Sequence, residues 1–279
     1  MALDQVDVDK PEKKRGLSAE MTFLDHLEAL RWHLVRSVVA IVVIAIGTFL
    51  AKDFIFDVIL FGPINPDFIT YRIFCSISDA ICLQAPEIEF ITRDLAEKFM
   101  VHFKSSFILG FVLSFPYIFW EIWRFIKPAL YEKEQKAATG VVFVCSLLFL
   151  SGVLFGYFII SPFSISFLAG YELGDIEAKT TLSSYVNYMA MFTIPLGLVF
   201  EMPVVIYFLS RVGIISPGLM KKSRRMAFVV ILIISAIITP TTDAVTLLIV
   251  TIPLYGLYEL SIFVSARAEK HYLKSNLED

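Results

Sequence analysis

Residues 139–160 read TGVVFVCSLLFLSGVLFGYFII, 22 consecutive positions without a charged side chain. As a helix rising 1.5 Å per residue this run reaches about 33 Å, enough to cross a hydrocarbon core of about 30 Å. Five further apolar stretches lie at 34–50, 103–123, 188–209, 226–239 and 244–264. The whole composition agrees: of 279 residues, 57% are hydrophobic and 18% charged, with a mean hydropathy of +0.73. Soluble domains run at about 45–50% apolar and about 25% charged, so a globule of this size would leave large apolar patches in water. The sequence predicts an all-α polytopic membrane protein embedded in the lipid bilayer. A net charge of −3 holds no basic excess of the kind nucleic-acid binding requires.

The stretch at 226–239 is short, about 21 Å as a helix, and Pro240 ends it. With 244–264 it suffices for two crossings joined by a tight turn, giving six transmembrane helices and both termini on one side. Basic residues orient them. Eighteen of the 24 Lys and Arg fall on the terminal side and six on the other, so the positive-inside bias makes both termini cytoplasmic. Trp32, Trp120 and Trp123 fall at that boundary, where an aromatic belt belongs. No apolar h-region precedes the first span, which is expected to act as its own uncleaved insertion signal. The resulting division is a disordered cytoplasmic N-terminus over 1–17, one six-helix membrane domain over 18–264, and a cytoplasmic tail over 265–279.

Ser18 suits the N-cap of a helix in which Phe23, Leu27, Leu30 and Leu34 share one apolar side. Such a helix can lie in the interface and bend into the first span. The external loop 51–102 is too long for a connector and predicts a cap with packing of its own. Its backbone reads as irregular around 62–68, where Pro63 and Pro66 fall, and as helical from residue 92 into the second span. Cys75 and Cys82, seven positions apart in this loop, are expected to form a disulfide in an oxidising compartment. Cys145, inside the third span, is expected to stay reduced.

The sequence carries no phosphate-binding loop, no His–Glu–x–x–His and no cysteine pair at metal-ligand spacing. It reads as a non-enzyme without cofactor or metal. One carboxylate lies deep in a span: Glu201, within Phe200-Glu201-Met202-Pro203 of the fourth. An acid at a helix centre costs about 2.5–3.5 kcal/mol on insertion scales, so Glu201 must face protein or water. A neutral glutamic acid bonded to a neighbouring helix, a proton relay and a docking point for another transmembrane helix all satisfy that. Pro195 and Pro203 flank Glu201 and predict a kink beside it. Gly152 and Gly156 form a small-xxx-small pair suited to close helix approach. After the second span comes Phe125-Ile126-Lys127-Pro128-Ala129-Leu130-Tyr131-Glu132-Lys133-Glu134, with Pro128 placed to open a short helix. Taken alone, Glu134 reads as a solvated surface acid.

Taken together, four segments carry a resemblance. They are Phe23-Leu24-Asp25-His26-Leu27-Glu28-Ala29-Leu30-Arg31, the run from Phe125 to Glu134, Phe200-Glu201-Met202-Pro203, and Thr239-Pro240-Thr241-Thr242-Asp243. In this order the chain from about residue 23 to 264 resembles TatC, the polytopic subunit of the twin-arginine protein translocase. The resemblance implies a concave six-helix scaffold in the cytoplasmic (inner) membrane. Its cytoplasmic face would bind the twin-arginine signal peptides of folded cargo proteins, within a multimeric complex driven by the protonmotive force.

Carried over by position, Phe125, Pro128, Tyr131 and Glu134 match the family's signal-recognition loop. Glu28 and Arg31 match its N-terminal share. Pro63 matches an external-loop proline, Tyr157 a tyrosine late in the third span, and Asp243 the acid between the last two spans. Glu201 matches the intramembrane acid where single-span TatA or TatB subunits dock. Two positions depart from the family: Ala29 stands where a second acid is usual, and His33 where Arg or Lys is commoner. The recognition chemistry is physically apt, because guanidinium groups never deprotonate and pair bidentately with carboxylates. A proton-coupled secondary transporter of a small solute, using Glu201 and Asp243, is the competing reading. It calls for broken helices in two related halves, and the sequence offers only a faint echo between 126–130 and 215–219.

Overall fold

The first helix, α1 (Phe23–Leu50), leaves Leu34, Val43 and Leu50 63%, 61% and 80% exposed. In water each such side chain would forfeit about 1.5–3 kcal/mol of burial; against acyl chains it forfeits nothing. A computed structural model of the protein describes residues 23–77, 82–83, 85–86, 88–127, 140–170, 179–239 and 244–277. Within those residues, five helical runs are long and apolar enough to cross a membrane: Glu28–Leu50, Glu97–Ile126, Val141–Ala169, Leu182–Arg211 and Ala244–Glu269. The sixth crossing is α9 (Arg224–Ile238), whose 15 residues reach about 22 Å.

The remaining elements are α2 (Ile69–Ile77), α3 (Glu97–Ile126), α4 (Val141–Phe155), α5 (Ser161–Ala169), α6 (Leu182–Phe200), α7 (Met202–Arg211), α8 (Pro217–Lys222) and α10 (Ala244–Leu277). A π-helical turn, Gly156–Ile160, joins α4 to α5. Two short strands, β1 (Phe90–Ile91) and β2 (Thr180–Thr181), pair in parallel with Phe90 opposite Thr180. Glu97, buried at the start of α3, accepts from the amides of Arg93 at 2.7 Å and Ser183 at 3.0 Å. That carboxylate ties the start of α3 to the start of α6.

Helix contacts rest on small and hydroxylated residues. Ser105, Ser106, Ser114, Ser161, Ser164, Ser235, Thr246 and Ser261 are all buried. Several turn their hydroxyl back onto their own helix, as Ser106 does to His102 O and Ser261 to Leu257 O. Lipid gives no hydrophobic drive to helix pairing, so close backbone approach and dispersion have to supply it. The Gly152–Gly156 pair does this. A β-carbon on Gly152 would lie 2.7 Å from Leu196 O, and one on Gly156 2.5 Å from Phe192 O, so α4 lies directly on the α6 backbone.

The cap at one end is more regular than its prolines suggest. Phe54–Leu60 forms a π-helical turn and Gly62–Ile64 a 3-10 turn, followed by α2. Helix α2 is anchored by buried Tyr71 and by Phe74, which meets Phe163 edge-on at 5.0 Å. Cys75, near its end, is bonded to Cys82, while Cys145 is free and buried in α4.

Helix boundaries run further than the apolar stretches. Helix α1 continues without a break from Phe23, so the amphipathic lead-in is the same helix as the span rather than a bent segment. Helix α10 continues to Leu277, through the segment expected as a separate tail. Strong helix formers fill that extension, Ala268 is fully buried, and the Arg267 guanidinium sits 4.4 Å above the Phe263 ring.

Gly156→Ala should lower the thermal unfolding temperature of the detergent-solubilised protein, at a cost of about 1–3 kcal/mol for overpacking. Gly256→Ala, whose β-carbon would meet nothing within 4 Å, should leave it unchanged or raised. Equal behaviour of the two variants would refute the glycine-mediated contact.

Candidate functional site

At one end of the bundle the beginning of α1 meets the end of α3. Their seam is close: Gly110 has room for no side chain against Ala45, and the Thr48 hydroxyl donates to Ser106 O at 3.1 Å. Toward the start of α1 the seam turns polar. The Nδ1–H of His33 donates to Glu121 Oε2 at 2.5 Å, and Tyr117 donates its hydroxyl to Oε1 at 3.0 Å. Arg36 and Arg124 approach the same carboxylate at 3.9 and 4.0 Å, and the Arg124 guanidinium lies 4.8 Å over the Trp120 ring. Glu121 itself is 1% exposed. A buried acid is tolerable in this position because every approaching group donates or carries positive charge.

His33 also presents its ring to Phe125, with centroids 6.1 Å apart in an edge-on arrangement. Phe125 is half-buried in the last turn of α3, and Glu28 and Arg31 are exposed on α1. The structure thus gathers Phe125, Glu28 and Arg31 at the same end of the molecule. Pro128, Tyr131 and Glu134 lie outside the described residues, as does Asp243.

The reading of the sequence passed over Glu121. The sequence shows one deep carboxylate, Glu201, whereas among the described residues the structure also buries Glu121 within a span and Glu97 at the start of α3. The closest partner of Glu121, His33, lies 88 positions away on α1, beyond the reach of local periodicity. The available signal was the run Trp120-Glu121-Ile122-Trp123, an acid between two interface aromatics, together with His33 at a position where the resemblance leads one to expect Arg or Lys.

Glu201 occupies the predicted kink. Helix α6 stops at Phe200, Glu201 forms a turn, and Pro203 opens α7, whose first amides bond to the Glu201 carbonyl. The carboxylate is buried against Cys145 and the Phe149 backbone. Among the described residues neither of its oxygens has a hydrogen-bond partner of ordinary geometry.

Pro63 and Tyr157, expected as separate functional positions, both lie where the cap joins the bundle. Tyr157 donates to Ile59 O at 2.8 Å, Tyr185 to Leu60 O at 2.5 Å and Tyr71 to Pro63 O at 2.6 Å. Burial pushes the Tyr71 hydroxyl up from its ordinary value, which keeps it protonated and donating. A side chain at Gly62 would strike the Tyr157 hydroxyl at 2.8 Å. These residues seat the cap on the bundle.

Replacing Glu121 by Ala should destabilise the solubilised protein by about 1–3 kcal/mol, because His33 and Tyr117 lose their buried acceptor. Glu121→Gln, which keeps an acceptor oxygen, should cost less. Thermal unfolding decides it, and a Glu121→Ala protein that melts with the wild type would show that the cluster does not hold α1 on α3.

Comparison with known proteins places this geometry in a family. Residues 25–253 match the model of the Sec-independent protein translocase protein (TatC). The chain is 39% identical over 259 residues to the Sec-independent protein translocase protein TatC of Blattabacterium sp. subsp. Periplaneta americana, covering 90% of this chain and 97% of that protein. It is 33% identical to TatCy of Bacillus subtilis, covering 93% and 94% of the two chains. Among solved structures, a crystal structure of the twin-arginine translocase receptor TatC superposes with a TM-score of 0.67 at 32% identity, covering 87% of this chain and 99% of that one. A second, of the same receptor in DDM, gives 0.68 at 31%, covering 86% and 99%. The family model spans most of the membrane domain and the relatives match nearly end to end, so the chain belongs to the TatC family of Sec-independent protein translocase proteins.

Proposed function

We propose that this chain is the receptor subunit of a twin-arginine translocase in the cytoplasmic (inner) membrane, with both termini cytoplasmic. Its cytoplasmic face binds twin-arginine signal peptides on folded cargo, and its membrane face recruits TatA-like and TatB-like single-span subunits. The observation that carries the reading is the convergence at the α1–α3 end, where Phe125 contacts His33 and shares its end of the bundle with Glu28 and Arg31. Phe125, where the second motif begins, and the N-terminal motif, more than ninety positions apart in sequence, thereby come to the same end of the bundle. Glu134, Pro128 and Tyr131 follow directly from the end of α3 and complete that surface in this reading.

The division of labour follows from charge. A pair of arginines carries two permanent positive charges, and Glu134 and Glu28 are acids at a basic boundary, where a bidentate pair with each guanidinium is available. Phe125 offers an apolar contact to the residues beside the pair. Deeper in the bilayer, Glu201 is a buried acid at a helix break, against the Cys145 thiol and the Phe149 backbone and without a hydrogen bond of ordinary geometry among the described residues. A polar group on an incoming single-span helix would satisfy it. No nucleotide site exists in the sequence, so the work of transport comes from outside the subunit, as the protonmotive force. Family membership weighs against the small-solute transporter built on Glu201 and Asp243.

Glu134→Ala should weaken photocrosslinking of a twin-arginine signal peptide to the chain in membranes by about ten- to a hundredfold, the loss of one charge-assisted pair. Membrane insertion of the variant should stay normal, and unchanged crosslinking would remove Glu134 from the site. Glu201→Ala should reduce copurification of TatA-like or TatB-like subunits while signal crosslinking persists. A loss confined to signal crosslinking would overturn the docking role.

A further inference from the structure

At the end of the bundle opposite the Glu121 cluster, two neighbouring spaces lie along the α1–α3 seam, the outer one walled in part by the cap residues Phe56 and Phe61. The first is a cavity of about 450 Å³ lined by Lys52, Phe56, Phe61, Lys98, Phe99, His102 and Leu182. The second is an apolar groove of about 340 Å³ whose accessible lining is wholly apolar, formed by Val42, Ala45, Ile46 and Phe49 of α1 and Phe99, Phe103 and Phe107 of α3. They share Phe99, and Phe49 of the groove stacks on His102 of the cavity with ring centroids 4.0 Å apart. A cationic mouth therefore adjoins a greasy trough, with Phe99 lining both.

Its placement gives it a direction. Lys52 follows the last residue of α1 by two positions and Lys98 is the second residue of α3, so both ammonium groups stand at the same membrane edge, where headgroups lie. The groove residues 42, 45, 46 and 49 recur along one side of α1 and extend about 10 Å into the hydrocarbon. Ile46, Phe99 and Phe103 are 57%, 58% and 49% exposed, so the trough is open to lipid along its length.

Its chemistry selects an occupant. Both lysines are exposed, and among the described residues neither forms an ion pair. Glu97, the acid next to Lys98, is already held by the Arg93 and Ser183 amides. The Nε2 of His102 is buried with no hydrogen-bond partner among the described residues, which is uncommon for a buried polar atom and marks a missing neighbour. A phosphate at the mouth would lie beside the two ammonium groups that line it, with the His102 ring as part of its wall. Polybasic contacts with anionic headgroups contribute about 1 kcal/mol per lysine at a membrane surface. Charge at the mouth and hydrocarbon in the trough are the two halves of one amphiphile.

We propose that the Lys52–Lys98–His102 recess binds one anionic phospholipid, its phosphate at the mouth and one acyl chain along the α1–α3 groove. Every spanning helix touches lipid, and what separates this site from that background is headgroup selection. The test is native mass spectrometry of the purified full chain in detergent, titrated with phosphatidylglycerol or with phosphatidylcholine of the same acyl chains. One phosphatidylglycerol per chain should be retained in preference to phosphatidylcholine. The double variant K52Q/K98Q should lose about 10- to 30-fold of that retention, whereas K52R/K98R should keep it, which separates charge from folding. I46W, which fills the groove and leaves the lysines intact, should weaken retention as well. Equal retention of the two lipids, or phosphatidylglycerol retention unaltered in K52Q/K98Q, would overturn the site. So would loss of a copurifying protein helix in I46W without any lipid preference, because the groove would then be a subunit contact.

Discussion

Within a bilayer, the inside of a protein is no more apolar than its surroundings, so burying leucine against leucine gains little. Everything that holds this bundle together answers to that constraint. Backbone amides are satisfied within helices because lipid offers them nothing. Many large aliphatic side chains face outward, and at the contacts serine, threonine and glycine sit among buried Ile160, Leu196 and Leu254 and let helices approach to backbone distance. Where Gly152 and Gly156 meet Leu196 and Phe192, the separation is set by main-chain atoms, and dispersion between close-packed backbones replaces the hydrophobic effect as the adhesive.

Polar contacts then do what they rarely do in soluble cores, and fix which helix sits where. Glu121 draws on groups from α1 and from its own helix, and Glu97 joins the starts of α3 and α6. Ser210 and Ser265 share a 2.7 Å bond between α7 and α10, and Tyr258 reaches from α10 to the carbonyl of Met220 in α8. An alternative register would strand these groups in hydrocarbon, at a cost of several kcal/mol each. Two of the buried acids, Glu121 and Glu201, make a contrast. Glu121 is surrounded by donors and serves the fold, whereas Glu201, at a helix break, has only the Cys145 thiol and the Phe149 backbone against it.

Much of the architecture was legible from the chain because its signals are local. Apolar run length announced the spans, Pro203 announced the break at Glu201, and the spacing of Gly152 and Gly156 announced a close approach. What stayed hidden depends on pairs distant in sequence. Nothing near Glu121 names His33 as its partner, and nothing near Pro63 says that Tyr157 will stand beneath its turn. Helix ends were also hard to read, since hydropathy stops where water begins but a helix does not. Helix α10 therefore runs to Leu277, well past the last apolar residue of the stretch. Of the proposed recognition surface, Glu28, Arg31 and Phe125 lie at one end of the bundle, while Pro128, Tyr131 and Glu134 lie beyond the described residues.

The brevity of α9 has a mechanical consequence. A helix of about 22 Å in a slab of about 30 Å leaves a deficit that its neighbours in the bilayer must absorb, by compressing or splaying their chains. The strain is elastic and collective. It belongs to the length of the helix rather than to any one side chain, so exchanging one lipid-facing aliphatic for another leaves it in place, whereas one added turn removes most of it. It also depends on the host: a membrane of short acyl chains relaxes it and a thick, ordered one sharpens it. Through α9, the protein couples to bilayer thickness as a material property, independently of any site it carries.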